Sequence, residues 1–228
     1  MLKFDAPAFH DLHFPNESVE YRAARNRLLE AEIALRRQTE AVAALRRALP
    51  PGGEIREDYV FEGEAGAARL SQLFGDRSVL LLYGFMYGPK MERACPSCTS
   101  FIDALDGEMR HIRQRVAIAV VARSPLARFK AHAQDRGWRD TQLLSSAGNS
   151  FHLDYHAEDA QGSQRPIMNV FARQGGVIRH VWASELAFAP RDPGEDPRHI
   201  DGFWPLWGIL DLSPEGRGEQ FRPKLSYN

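Results

Sequence analysis

Two uninterrupted apolar runs, Ser78-Val79-Leu80-Leu81-Leu82-Tyr83 and Val116-Ala117-Ile118-Ala119-Val120-Val121, constrain this chain more than any other feature. Each is too short for a typical helix and lacks the polar alternation of a half-wetted strand. Both are therefore expected to be strands buried on two faces, as in a parallel sheet covered by helices. Helix signals follow each run. A loop with Gly84, Gly88 and Pro89 leads into residues 97–110, where Phe101, Ile102, Leu105 and Met109 recur at helical spacing. After the second run, Ser124 reads as an N-cap and Pro125 as the first residue of a helix reaching Arg136, with Gly137 just beyond. Strands alternating with helices predict a βαβ unit.

The flanking segments add a shorter set of elements. Asp58-Tyr59-Val60-Phe61 reads as a short strand, and residues 67–74 as a helical turn ending at Gly75. Downstream, Ile167-Met168-Asn169-Val170-Phe171-Ala172 and Val177-Ile178-Arg179-His180-Val181-Trp182 flank Arg173-Gln174-Gly175-Gly176, which predicts a hairpin.

From Asn16, read as an N-cap, to Leu49 the chain has neither Gly nor Pro, and Pro50-Pro51-Gly52-Gly53 then stops it. Tyr21, Leu28, Leu35, Val42 and Leu49 repeat in sevens, with Ala24, Ala31, Gln38 and Leu45 interleaved, a seam of about four heptads. Such a helix either packs along its own domain or pairs with a second copy as a homodimer. The expected organisation is a helical arm over 1–53, a main domain over 54–190, and an aromatic, Pro-rich extension over 191–228 packed on that domain. The 43% hydrophobic content of 228 residues suffices for one sizeable core.

Charge narrows the partners. Lys plus Arg (29) nearly balances Asp plus Glu (30), so no net field points to nucleic acid or to an anionic membrane surface. No stretch approaches the roughly 18 apolar residues of a membrane span, and the start, Met1-Leu2-Lys3-Phe4-Asp5, lacks a secretory pattern. A cytoplasmic location is expected.

The chain has 2 cysteines, Cys95 and Cys98, in Cys95-Pro96-Ser97-Cys98. A disulfide closing so short a loop constrains the unfolded chain very little, so stability is a poor reason for the pair. Redox exchange is a better one, because it needs an attacking thiolate and a second thiol near enough to resolve the mixed disulfide. Cys95 falls just before a helix, where unpaired N–H groups and the positive dipole end favour an anion, and Pro96 suits the first helical turn. Cys98 is one turn along on the same face. Cys95 is thus the expected nucleophile and Cys98 the resolver, with Pro96, Ser97 and Arg93 as supporting residues and no bound cofactor.

Zinc is the competing use of the motif, with His152 and His156 completing a four-ligand set. The parallel strands followed by a terminal hairpin match a thioredoxin-like three-layer α/β sandwich. In that arrangement a proline, usually cis, opens the strand facing the cysteines, and Pro166 stands in the right order for it.

The runs Asp58-Tyr59-Val60-Phe61-Glu62-Gly63, Leu82-Tyr83-Gly84-Phe85-Met86-Tyr87-Gly88-Pro89 and Ala94-Cys95-Pro96-Ser97-Cys98 resemble a bacterial thioredoxin-like family of unknown function. Its members are described as predicted dithiol-disulfide oxidoreductases. Further similarity lies at Ser124-Pro125-Leu126, Gly137-Trp138 and residues 210–217, so the resemblance spans nearly the whole chain, the N-terminal helix included. It implies the same fold and, through the fold and the two cysteines, exchange with a protein disulfide or a small thiol. One departure is that Gly84 stands where the family pattern usually has histidine, so no proton-transfer role carries over to this position.

Two other functions stay open at this level. The stretch from Leu70 to Gly75 is also similar to peroxiredoxins, which would make Cys95 a peroxidatic thiol with Thr99 and Arg165 as activating groups. A non-catalytic binding module would instead use Trp204 and Trp207 to hold a ligand or partner.

Overall fold

The computed structural model describes residues 9–193, 198–218 and 220–227. The chain divides into two compact units, Met1–Pro50 and Pro51–Asn228. The first is built on helix α1 (Val19–Arg47). Its cap is Ser18, whose hydroxyl accepts the Tyr21 N–H at 3.1 Å. Asn16, expected as the cap, instead has φ 60°, a left-handed turn conformation that Asn tolerates.

The second unit runs β1 (Val60–Gly63), β2 (Gly66–Arg69), α2 (Leu70–Leu73), β3 (Val79–Phe85), α3 (Pro96–Asp106), α4 (Met109–Ile112) and β4 (Ala117–Ala122). It continues through α5 (Leu126–Arg136), β5 (Leu143–Ser145), α6 (Phe151–Asp154), β6 (Ile167–Gln174), β7 (Val177–Ala183) and α7 (Pro205–Leu210). The strands form one sheet in the order β2-β1-β5-β4-β3-β6-β7. The two apolar runs are its interior: β3 and β4 pair in parallel from Leu80↔Ala117 to Phe85↔Ala122. On the other side of β3, β6 is antiparallel, with Gly84 opposite Ile167, and β7 closes the hairpin. That hairpin turns on Gly175 (φ 58°) and Gly176 (φ 81°), the two left-handed positions a tight hairpin turn requires.

Side-chain alternation sorts the core onto two faces. Tyr83, Phe85, Ile118, Val120 and Met168 face Phe101 and Ile102 of α3, Phe129 of α5, and Trp204 and Trp207. Leu80, Leu82, Ala119, Val121 and Phe171 face Phe61, Leu70, Phe74 and Phe151. Helices therefore cover both faces of a mixed sheet, giving the thioredoxin-like three-layer sandwich expected from the sequence. Among the described residues no helix is long and apolar enough to cross a membrane.

Local expectations shift in three places. Residues 66–69 form a strand, because backbone pairing of Val60↔Arg69 through Gly63↔Gly66 outweighs the helix preference of their alanines. The helix after the cysteines breaks at Gly107 into α3 and α4. Pro125 is itself the cap of α5, one residue later than expected, while Ser124 is buried and donates its N–H to the Tyr87 carbonyl at 2.8 Å.

Candidate functional site

Strand β3 ends at Phe85, and the loop that follows is held in place before it reaches the cysteines. Arg128 of α5 stacks its guanidinium 4.3 Å from the Tyr87 ring centroid and donates to three carbonyls of that loop. These are Gly88 at 3.4 Å, Glu92 at 2.9 Å and Met91. The Cys95 N–H then donates to the Met86 carbonyl at 3.1 Å, fixing the residue at the sheet's end.

Cys95 is the N-cap of α3, with φ −62° and ψ 123°, and Pro96 occupies the first turn. An N-cap side chain accepts from backbone N–H groups that have no helical partner. Here the acceptor is sulfur: the Cys98 N–H points at Cys95 Sγ at 3.5 Å. Both cysteines are free thiols, Cys95 partly exposed and Cys98 only 1% exposed.

The two sulfurs titrate in opposite directions. The Cys98 side chain hydrogen-bonds to Cys95 and lowers its pKa to about 6 from an ordinary 9.0; burial opposes this, and the N–H groups of Cys98 and Ser97 reinforce it. Burial, followed by the hydrogen bond and negative charge of Cys95, pushes the Cys98 thiol well up. The Tyr83 hydroxyl donates to Cys98 Sγ at 3.4 Å and partly offsets that rise. A thiolate on Cys95 beside a protonated Cys98 is the arrangement that attack followed by resolution requires.

A second layer steadies the helix start. The Thr99 hydroxyl donates to the Cys95 carbonyl at 2.9 Å and lies 3.0 Å from His132 Nε2. With its own proton committed, that hydroxyl must accept from His132 Nε2–H. The imidazole is packed between the Phe85, Tyr87 and Trp138 rings, and burial, then the Arg136 charge, lowers its pKa, so it stays neutral.

The opening beside Cys95 is a cleft of about 460 Å³ lined by Met91, Arg93, Ala94 and Pro96 and by the C-terminal residues Pro223, Lys224, Leu225 and Ser226. Ser97 contributes its N–H to Cys95, and Arg93 lines the cleft. Pro166 sits just before β6, next to the Ile167↔Gly84 pair, and the peptide preceding it is trans. Gly84 itself faces away from the cysteines: an added Cβ would meet Ala157 Cβ at 2.9 Å and Ile167 Cγ2 at 3.3 Å.

The remaining sequence-flagged residues lie elsewhere. Thr99 reaches the Cys95 carbonyl rather than its sulfur, and Arg165 lines a larger cavity of about 950 Å³ containing no cysteine, with its guanidinium over Phe188. That cavity lies by β6 and β7, and His156 also lines it. His152 is buried, with Nδ1 2.6 Å from Ser146 Oγ. Among the described residues no group of three or more His, Cys, Asp or Glu is placed to hold a metal ion. Trp204 and Trp207 are buried in the same core cluster as Cys98 and Tyr83.

Sequence reasoning did not single out Tyr83, His132 or Arg128, and it expected residues 191–228 to pack on the domain without bringing Pro223–Ser226 to the cysteines. For Tyr83 a signal existed: a phenol in a strand buried on both faces needs a hydrogen-bond partner, and the cysteines follow that strand.

A family model described as a bacterial protein of unknown function (DUF899) matches residues 12–228. No curated protein matches the sequence. Among solved structures, the chain is similar to a reduced Plasmodium vivax 2-Cys peroxiredoxin at 20% identity and TM-score 0.44, covering 67% of this chain and 94% of that one. It is also similar to a mutant of Xanthomonas campestris peroxiredoxin Q, at 12% identity and TM-score 0.45 over 69% and 96%. An exposed lipoprotein thioredoxin of Streptococcus pneumoniae matches at 14% identity and TM-score 0.41 over 66% and 99%. At these values the likenesses carry no argument about activity.

Proposed function

This chain belongs to the DUF899 family of bacterial proteins of unknown function, and from its own site we propose that it is a thiol-disulfide oxidoreductase working through Cys95 and Cys98. The observation that carries the reading is the asymmetry of the pair: a capped, partly exposed Cys95 whose pKa falls to about 6, against a buried Cys98 held protonated.

In the proposed cycle the Cys95 thiolate attacks one sulfur of a substrate disulfide, forming a mixed disulfide and releasing one substrate thiolate. Cys98 then gives up its proton and attacks Cys95 Sγ. The Cys95–Cys98 disulfide forms and the second substrate thiol leaves. Two electrons pass from the protein dithiol to the substrate, so each turnover needs an external dithiol or thiol pair to reduce the protein again. Tyr83 assists the second step, because its hydroxyl donates to the sulfur on which negative charge then develops.

The test is trapping. With Cys98→Ser, a disulfide substrate should remain covalently attached to Cys95, and Cys95→Ser should trap nothing. Failure of the Cys98→Ser protein to form a mixed disulfide would contradict the proposal. A peroxidase would use Thr99 and Arg165 at Cys95 Sγ; the Thr99 hydroxyl instead donates to the Cys95 carbonyl and Arg165 lines the other cavity, which favours the exchange reading. Rapid, stoichiometric oxidation of Cys95 to sulfenic acid by hydrogen peroxide would reverse that preference.

A further inference from the structure

The cleft at Cys95 is completed by a segment more than a hundred residues away in sequence, and that segment is fixed rather than loosely draped. Arg136 of α5 donates through Nη1 to the Leu225 carbonyl at 2.7 Å, while its Nε binds Asp103 of α3 at 3.1 Å. Pro223 is buried, and the Lys224 N–H donates to the Tyr227 hydroxyl at 3.1 Å. The fold thus brings Lys224 into the lining of the same cleft as Arg93 and Cys95.

The charge of that lining has one sign. Among the described residues, Arg93 and Lys224 are its ionic groups, no carboxylate lines it, and neither cation is in an ion pair. Glu92 adjoins Arg93 in sequence but is outside the lining. Two exposed cations beside a nucleophilic sulfur attract an anionic partner and repel a cationic one, an effect that salt screens. The volume, about 460 Å³, falls within the range of small-molecule sites.

We propose that this cleft selects small disulfides bearing carboxylates close to the sulfur atoms, with Arg93 and Lys224 as the specificity-determining residues. The proposal rests on the exchange reaction above. Cys95 attacks one sulfur of the carboxylate-bearing disulfide, one carboxylate-bearing thiolate leaves, and Cys98 releases the second as the protein disulfide forms. The cations hold the carboxylates during both displacements and take no part in electron transfer.

The test uses three disulfides of similar size on the full-length reduced protein: dithiodiglycolate, a dianion; bis(2-hydroxyethyl) disulfide, neutral; and cystamine, a dication. Each rate of Cys95–Cys98 oxidation is divided by the rate with the thiolate of a small thiol that has no other charged group, such as 2-mercaptoethanol, which removes differences in leaving group. The normalised preference for the dianion over the dication should be roughly tenfold or more at low ionic strength and should shrink toward unity at about 0.5 M salt. The double variant Arg93→Glu, Lys224→Glu, checked for unchanged circular dichroism, should invert the ratio. Equal normalised rates for all three in the wild type, or a ratio the double variant leaves intact, would overturn the inference while leaving exchange chemistry standing. No oxidation of the cysteines by any of the three would overturn both.

Discussion

Replacing Tyr83 with Phe removes one oxygen from the buried side of the site and keeps the ring, which packs 4.9 Å from the Phe101 centroid. The lost contact is the hydroxyl donation to Cys98 Sγ at 3.4 Å. A hydrogen bond of this kind contributes about 0.5–1.5 kcal/mol net. It matters most when Cys98 becomes a thiolate, because burial is the largest force raising that thiol. At about 1.4 kcal/mol per tenfold, the resolution step should slow by between about 2-fold and about 12-fold. A stopped-flow experiment with a chromogenic aromatic disulfide separates the steps: the first burst of thiolate reports attack by Cys95, the second reports release by Cys98. The second phase should slow and the mixed disulfide should accumulate, while the first phase changes much less. If both phases slow equally, or neither does, Tyr83 does not act on Cys98 in the way the geometry implies.

Three further outcomes follow from contacts. Gly84→Ala should lower stability by about 1–3 kcal/mol in urea unfolding, since the new methyl would lie 2.9 Å from Ala157 Cβ, and Ala157→Gly should recover part of the loss. An unchanged midpoint would mean the β3 face is looser than described. Arg128→Met should free the loop carbonyls of Gly88, Met91 and Glu92 and loosen the loop before Cys95, read as faster amide hydrogen exchange over residues 86–94, with Arg128→Lys a poor rescue because an ammonium lacks the planar fork. His152 is held neutral by burial and, secondarily, by the Arg123 charge, its pKa falling to about 3 from 6.5. The unfolded imidazole therefore binds a proton that the folded one refuses. Stability is full above pH 6.5 and declines as pH falls toward 3, by at most about 1.4 kcal/mol per pH unit from this group. His152→Gln should flatten that slope.

The sequence placed the interior of the sheet and the start of α3 well, because both rest on local signals. Runs such as 79–83 and 117–121 have no polar face to expose, and Pro96 belongs at a helix start whatever surrounds it. Elements that exist only through pairing escaped it. Strand β5, Leu143–Ser145, is three residues long and is defined by Val120↔Leu143 on one side and Glu62↔Ser145 on the other. Residues 67–69 read as helix until β1 lies beside them.

The site divides in the same way. The proposed attack by Cys95 and resolution by Cys98 are readable from spacing and a helix terminus. The groups around them, Tyr83 on β3, Arg128 and His132 on α5, and Lys224 in the C-terminal segment, are brought in over separations that no local pattern encodes.

The account stands on a thiolate at Cys95 near neutral pH, and pH-dependent alkylation of the reduced protein, followed residue by residue by mass spectrometry, measures it. The rate at Cys95 should rise through a midpoint near 6 and be nearly complete by pH 7, with Cys98 unmodified throughout. In Cys98→Ser the midpoint should move upward, since the Cys98 side chain is the largest cause of the shift. A Cys95 midpoint at about 8.5 or higher, where a free thiol titrates, or preferential alkylation of Cys98, would contradict it.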